Sequence, residues 1–214
     1  MIKHQEIAAV ILAGGNAARM NHTDKALVQL GGRELISYVI NRVSREVNNI
    51  VLSVNRNPHR YKQFNLPLIE DCSKQFAGPL LGIHSAMNWI MTNTSEPAFR
   101  QVEYLACFPA DVPIFPDNII CKLAKALSAN HSSLAMIQTG SQLQPLFSLW
   151  RLDTFAQIDN AIKTGIYGPK LFARQLDNVV VNIELISSLD FFNINTLDDL
   201  SKAESAINIG LVKS

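Results

Sequence analysis

The sequence predicts an α/β fold in which helices cover both faces of a mostly parallel sheet. Short apolar runs alternate with segments of helical periodicity through most of the chain, an order that is typical of parallel sheets. The 214 residues are 48% hydrophobic and 17% charged, which suits one domain with a sizeable core. Because no internal repeat or linker-like stretch divides the chain, we expect a single domain over residues 1–214.

The first half contains four predicted strands and three predicted helices. Each strand is a short, mostly apolar run bounded by polar or turn-forming residues, and each helix repeats apolar residues at intervals of three or four. The predicted strands are Ile7–Ala13, Asn49–Asn55, Leu66–Asp71 and Glu103–Asp111, and the predicted helices are Glu34–Val47, Pro79–Met91 and Pro116–Ala129.

The second half is less regular. The runs Ser133–Thr139 and Pro145–Trp150 are separated by the turn Gly140-Ser141, and a hairpin there would interrupt the parallel pattern. Thr196 is placed to cap a last helix, because its side chain can accept a hydrogen bond from a first-turn amide. The remaining predicted elements are the helices Thr154–Lys163, Pro169–Leu176 and Leu197–Ile207 and the strands Asn178–Glu184 and Phe191–Asn195.

Composition excludes several classes of protein. The formal net charge of +1 gives no general field for nucleic acid or for an anionic membrane surface. Three cysteines without CxxC spacing indicate reduced thiols, not a disulfide framework or a zinc site. No apolar run approaches the length of a membrane span, and the N-terminal MIKHQE is too polar for a secretion signal. We therefore expect a cytoplasmic protein.

A glycine pair after the first strand is the first candidate binding feature. Gly14 and Gly15 allow a sharp turn in which backbone N–H groups can approach phosphate oxygens, and Arg19 and Lys25 add positive charge nearby. The spacing matches neither the common phosphate loop nor GxGxxG. The segment is therefore either a nucleotide triphosphate loop or an ordinary turn with solvated charges.

Polar residues end three of the predicted strands. Asn55, Asp71 and Asp111 each follow an apolar run, and the carboxyl ends of parallel strands meet along one edge of a sheet. Asp111 could bind Mg²⁺, which prefers oxygen ligands and is often shared with substrate phosphates. It could equally be a turn residue before Pro113, and the other two residues could also be turn formers.

Several segments together resemble one known family. They are LAGGNAARM with the following DK, then GPLLG, FPADVP, QPLFSLW and FFNINTLDDL, in that order along the chain. The chain resembles the molybdenum cofactor guanylyltransferases, the molybdopterin-guanine dinucleotide biosynthesis protein A family of the nucleotidyltransferase superfamily. It departs from the family pattern at Ala17 and at Asn21-His22.

The resemblance implies a fold, an activity and a set of site residues. The fold would be Rossmann-like and similar to the nucleotide-diphospho-sugar transferases. The activity would be Mg²⁺-dependent transfer of GMP from GTP to the terminal phosphate of molybdopterin, with release of pyrophosphate. Other cofactor-biosynthesis proteins and molybdoenzymes would be partners. The implied catalytic residues are Lys25, Arg19 and Asp111, with Asp111 also the metal ligand. The implied nucleotide-binding residues are Leu12, Ala13, Gly14, Gly15, Lys25, Asn55, Asp71, Gly78 and Asp111.

The acceptor side and the choice of base leave alternatives. Asn193 and Asn195 either face the acceptor or cap the end of a strand. Basic residues that the family often places after Gly165 are represented here only by Lys170 and Arg174. A cytidylyltransferase acting on molybdopterin or a phosphorylated small alcohol is one alternative, although such relatives typically read AAG where this chain reads AGG. A degenerate nucleotide-binding protein is another.

Overall fold

A computed structural model describes residues 2–14, 24–71 and 78–208 of the chain. The predicted fold class is confirmed, because a seven-stranded, mostly parallel sheet forms the centre of the molecule. The strands are β1 (Ile7–Leu12), β2 (Gln29–Leu30), β3 (Arg33–Glu34), β4 (Asn49–Ser53), β5 (Leu68–Ile69), β6 (Tyr104–Pro109), β7 (Leu134–Thr139), β8 (Gln142–Arg151) and β9 (Asn178–Asn182), with β2 and β3 forming a separate hairpin. The spatial order of the main sheet is β5-β4-β1-β6-β8-β7-β9, and β8 alone among these described strands runs opposite to its neighbours.

Helices cover both faces of the sheet. Apolar residues of α1 and α3 join one buried cluster, and those of α2, α4 and α5 join a second cluster on the other face. None of the helices in the described part of the chain is long and apolar enough to cross a membrane. The helices are α1 (Leu35–Val43), α2 (Pro79–Thr92), α3 (Ile119–Asn130), α4 (Phe155–Lys163), α5 (Pro169–Phe172) and α6 (Leu197–Asn208).

The β7–β8 hairpin follows the sequence prediction, and its antiparallel register interrupts the parallel pattern as expected. The prediction of a strand over Phe191–Asn195 is wrong. Phe191 has a φ of 60°, which turns the chain out of an extended conformation. The segment instead packs beside the loop after β6, where Phe191 N donates to Ile114 O at 2.9 Å and Ile194 N donates to Asp111 O at 3.0 Å.

Two smaller features were not predicted. The β2–β3 hairpin turns at Gly31 and Gly32, whose φ values of 58° and 80° suit a tight turn. The segment between β4 and β5 forms a 3-10 helix over Pro58–Phe64. The predicted helix Pro169–Leu176 is shortened to α5, followed by a 3-10 turn at Ala173–Gln175.

The topology positions the candidate site. Strand β1 lies between β4 and β6 and runs parallel to both, so the carboxyl ends of all three meet at one edge. Backbone bonds continue past the strand ends, with Ala13 N donating to Ser53 O at 2.9 Å and Ala110 N donating to Leu12 O at 3.0 Å. The loops that carry the predicted polar residues therefore leave the sheet side by side.

Candidate active site at the carboxyl edge of the sheet

The turn after β1 contacts the loop after β4. Gly14 lies so close to Asn55 that a Cβ atom at Gly14 would stand 2.5 Å from Asn55 Nδ2. Real Cβ atoms do not tolerate that separation, so a side chain at position 14 would push the Asn55 amide out of its position beside Asp71. Leu12 and Ala13 lie beside Ser53, and Gly14 lies beside Asn55, so the end of β1 adjoins the end of β4 and the loop after it. Gly15 and Arg19, together with Ala17 and Asn21-His22, lie outside the described residues.

Asn55 and Asp71 form a reciprocal pair. Asn55 Nδ2 donates to Asp71 Oδ2 at 2.7 Å, and the Asp71 backbone N donates to Asn55 Oδ1 at 2.9 Å. Both ends of the Asn55 amide are therefore occupied by Asp71. Burial raises the pKa of Asp71 above its usual value, although hydrogen bonds from Asn55 and Ser53 oppose the shift. The geometry makes Asn55 a residue that orients the Asp71 carboxylate.

Ser53 is a site residue that sequence reasoning missed. It lies 2% exposed at the end of β4, and its hydroxyl donates to Asp71 Oδ1 in a long contact of 3.4 Å. The chain stays bonded to its neighbour just beyond β4, with Val54 N donating to Ile69 O at 2.8 Å, and Ser53 and Asn55 both reach the Asp71 carboxylate. The available signal was a serine two residues before Asn55, within the predicted strand Asn49–Asn55.

The start of α2, with Gly78 and Gly82, packs tightly against β1, β4 and the loop that carries Tyr167. A Cβ at Gly82 would lie 2.7 Å from Leu12 Cδ2 and 3.0 Å from Ser53 Oγ. A Cβ at Gly78 would lie 2.5 Å from Tyr167 O, and the same carbonyl accepts a hydrogen bond from Leu80 N at 3.1 Å. The missing side chains therefore let the helix start fit between β1, β4 and the loop that carries Tyr167.

Lys25 lies in a second cluster, beside the loop after β6. Its Nζ donates to Asp111 Oδ2, to Asn193 Oδ1 at 2.8 Å and to Asn195 Oδ1 at 2.5 Å. Lys25 and Asp111 also form an ion pair whose side chains are 15% and 25% exposed. The structure thus brings together Lys25 and Asp111, which the sequence predicted as functional, and the two asparagines whose role the sequence left open. We refer to the oxygens of Asp111, Asn193 and Asn195 as the oxygen cage.

A capping box fixes one end of the oxygen cage. Asp199 Oδ2 accepts hydrogen bonds from Asn195 N at 3.0 Å and Thr196 N at 2.9 Å, and Thr196 Oγ1 accepts one from Asp199 N at 3.1 Å. The predicted cap at Thr196 is confirmed. On the other side of the cage, the Phe191 ring packs edge-on against Phe147 with 4.8 Å between centroids. The segment that carries the two asparagines is therefore anchored at both ends.

The donor set suits a hard cation. The described residues contain no cluster of three His, Cys, Asp or Glu side chains, so a metal here would rely on a single carboxylate supplemented by neutral oxygens. Asp111 and the amide oxygens of Asn193 and Asn195 provide such a set. Mg²⁺ is commonly bound by one or two carboxylates together with substrate phosphates and water, so the residues present fit this ion.

Two open grooves lie away from this edge. One is lined by residues such as His4, Arg45 and Gln101 near the start of β1, and the other by Lys122 and Ile183 among others, between α3 and β9. Neither groove includes a predicted site residue. The residues that the sequence predicts as functional therefore lie outside both grooves.

The chain is similar in sequence and in fold to known proteins. The family model of the MobA-like NTP transferase domain matches residues 9–179. The chain is 31% identical to the molybdenum cofactor guanylyltransferase of Rhodopseudomonas palustris (strain HaA2), over 92% of this chain and 90% of the relative. It is 37% identical to the protein of the same name from Shewanella sp. (strain MR-4), over 67% and 68% of the two chains. The crystal structure of molybdopterin-guanine dinucleotide biosynthesis protein A from Archaeoglobus fulgidus has a similar fold, with a TM-score of 0.73 and 23% identity over 95% of this chain and 99% of that one.

Proposed function

This chain belongs to the MobA-like NTP transferase family, and we propose that it transfers GMP from GTP to the terminal phosphate of molybdopterin. The family membership makes it a nucleotidyltransferase. The proposal of a guanylyl group and a molybdopterin acceptor is supported by the names of the relatives of 31% and 37% identity. The observation that carries it is the pairing of a positioned carboxylate, Asp71, with the Lys25–Asp111 cluster at the same edge of the sheet. We place the reaction in the cytoplasm, in keeping with three cysteines that lack CxxC spacing.

Asp71 is suited to recognise guanine. The Watson–Crick edge of guanine carries two adjacent N–H donors, and an oriented carboxylate can accept from both. Asn55 and Ser53 hold the Asp71 carboxylate through hydrogen bonds to its two oxygens. Cytosine and adenine lack the same pair of donors, so each would leave a carboxylate lone pair without a partner. An unpaired buried acceptor of this kind typically makes the binding free energy less favourable by about 1–3 kcal/mol.

The residues of the second cluster serve the transfer itself. An oxygen of the acceptor phosphate attacks the α-phosphorus of GTP, a new P–O bond forms, and the bond to pyrophosphate breaks. The acceptor is already an anion, so no strong general base is required, and catalysis consists of alignment and charge neutralisation. Lys25 and Arg19 hold the triphosphate, and Lys25 neutralises charge as pyrophosphate departs. Asp111, with Asn193 and Asn195, would hold Mg²⁺, which when bound supplies further neutralisation of phosphate charge.

Isothermal titration with GTP, CTP and ATP in the presence of Mg²⁺ tests the proposed nucleotide. We expect GTP to bind roughly ten- to hundredfold more tightly than the other two, as a polar mismatch of about 1–3 kcal/mol implies. Asp71→Asn should reduce this preference, because an amide presents one acceptor where the carboxylate presents two. Equal binding of all three nucleotides by the unaltered chain would exclude the guanine assignment.

A further inference from the structure

We propose that Lys25 and the divalent metal ion compete for the oxygen cage, so that metal binding displaces the Lys25 ammonium and releases it toward the triphosphate. The inference rests on the proposed function, because the metal and the triphosphate are those of the proposed reaction. It concerns an exchange between two cations, which neither the family membership nor the resemblance of site residues specifies.

The hydrogen bonds of Lys25 carry the first step of the argument. A lysine ammonium has three N–H donors and no acceptor. All three donors are directed at the oxygen cage, one each to Asp111, Asn193 and Asn195. In this position the ammonium has no donor left for a phosphate oxygen. Lys25 therefore has to leave the cage, at least in part, before it can hold the triphosphate.

The oxygens of the cage carry the second step. One carboxylate and two amide carbonyls are ligands that a hard divalent cation prefers, and their single negative charge is neutralised by the Lys25 ammonium. Two cations within a few ångströms of one another repel strongly in a partly buried site. A metal ion and the ammonium therefore cannot share the three oxygens at low cost.

Differences in stiffness indicate which partner moves. The cage is anchored by the backbone bond from Ile194 N to Asp111 O, and Ile194 itself is fully buried. The backbone of Lys25 is also fixed, because the next two residues, Ala26 and Leu27, are buried. The lysine side chain is a flexible four-carbon stem. The exchange therefore requires rotation of one side chain and leaves the cage in place.

Binding of Mn²⁺ alone, followed by electron paramagnetic resonance in the absence of nucleotide, tests the exchange. We expect Lys25→Met to bind Mn²⁺ at least about tenfold more tightly than the unaltered chain, because the competing charge is removed. Lys202→Met, which removes the same charge from an exposed position of α6, should leave the affinity nearly unchanged. Adding Asn193→Ala to Lys25→Met should lower the affinity again. Unchanged or weaker binding by Lys25→Met would overturn the proposal.

Chemical labelling of amines gives an independent measurement on the full chain without substitutions. If Mn²⁺ displaces Lys25, saturating Mn²⁺ should raise the rate at which Lys25 is modified, as measured by mass spectrometry, relative to the rate at Lys202. An unchanged or lower rate at Lys25 would contradict the exchange. The GTP titration described above separates the two proposals, because tighter Mn²⁺ binding by Lys25→Met without a GTP preference would retain the exchange and reject the guanylyltransferase.

Discussion

At the scale of single residues, the Ser53 hydroxyl allows the proposed guanine contact of Asp71 to be tested through a neighbouring side chain. Ser53→Ala removes the contact to Asp71 Oδ1 but leaves the Asn55 contact in place. Because the contact is long, we expect a loss near the lower end of the usual range for a hydrogen bond, about 0.5 kcal/mol, or roughly a two- to threefold weaker affinity for GTP. Titration calorimetry measures this loss, and Ser132→Ala, a buried serine before β7, is the matched control. An equal loss in both variants would mean that Ser53 has only a packing role.

The glycine at the start of α2 gives a steric prediction. Gly78→Ala places a Cβ within 2.5 Å of Tyr167 O, so the turn or the Tyr167 loop has to move. Overpacking of this kind typically lowers the free energy of unfolding by about 1–3 kcal/mol. It should also weaken GTP binding. Gly168→Ala is the control, because nothing lies within 4 Å of its added Cβ and its φ of −102° suits alanine. Thermal melts of both variants should separate them, and equal melting temperatures would contradict the steric argument.

Lys25 gives a kinetic prediction. An ammonium near the triphosphate contributes most where negative charge develops, so Lys25→Ala should lower kcat by about 10²–10³ and change the KM for GTP less. Steady-state kinetics with molybdopterin as acceptor, at saturating Mg²⁺, measures both constants. A higher KM with unchanged kcat would mean that Lys25 binds ground state and transition state equally. Unchanged constants would mean that Lys25 only forms an ion pair, and exposed ion pairs contribute about 0–1 kcal/mol to the free energy of unfolding.

At the scale of elements, we expect the contact between α2 and α4 to be sensitive to pH. His84 of α2 is buried, stacks on Phe155 at 4.6 Å and lies 3.3 Å from Asp159 Oδ1 through its Nε2. Burial lowers the pKa of His84, and the charge of Asp159 only partly opposes this effect while Lys163 adds to it. A histidine with a lowered pKa binds its proton more readily in the unfolded chain, so its contribution to stability is present above pH 6.5 and is lost as the pH falls below it.

The corresponding prediction compares two melting curves. Between pH 7.5 and roughly 5.5, the unaltered chain should lose more thermal stability than His84→Gln, because glutamine has no proton to take up over that window. Differential scanning fluorimetry at several pH values measures the difference. Parallel curves for the two proteins would show that protonation of His84 does not affect the folded state.

At the scale of the whole molecule, the main sheet ends differently on its two sides. Strand β5 has only two residues, whereas β9 has five, with three consecutive valines and neither a charge nor a proline. Val180 at its centre is 38% exposed. An apolar edge strand of this kind can pair with other chains.

We expect Val180→Lys to reduce light scattering during heating and to leave GTP binding unchanged, whereas Gln101→Lys, which adds the same charge elsewhere, should have little effect. Equal scattering by both variants would contradict this role for β9.

Most of the sheet could be predicted because its strands are apolar runs with clear boundaries, as in β1 and β6. The same patterns placed Asn55, Asp71 and Asp111 at strand ends. The sequence pattern around each strand could not show that the Asn55 side-chain amide hydrogen-bonds to Asp71, because that pairing depends on the relative position of two loops. Sequence patterns also failed at Phe191–Asn195, where alternation of apolar and polar residues is typical of a strand. The conformation there is determined instead by two backbone hydrogen bonds to the loop after β6 and by the left-handed backbone conformation of Phe191.

The two halves of the site also differ in when they can form during synthesis. Asn55 and Asp71 are 16 residues apart, whereas Lys25 meets Asn193 and Asn195 across 168 and 170 residues. Because chains fold from the N-terminus as they are made, the Asp71 carboxylate that we propose faces the base can be in place while the two asparagines have yet to be translated. Under the proposed function, a nascent chain would therefore form its base-recognising carboxylate before the oxygen cage. Turnover has to wait until residue 195 has left the ribosome and packed beside the loop after β6.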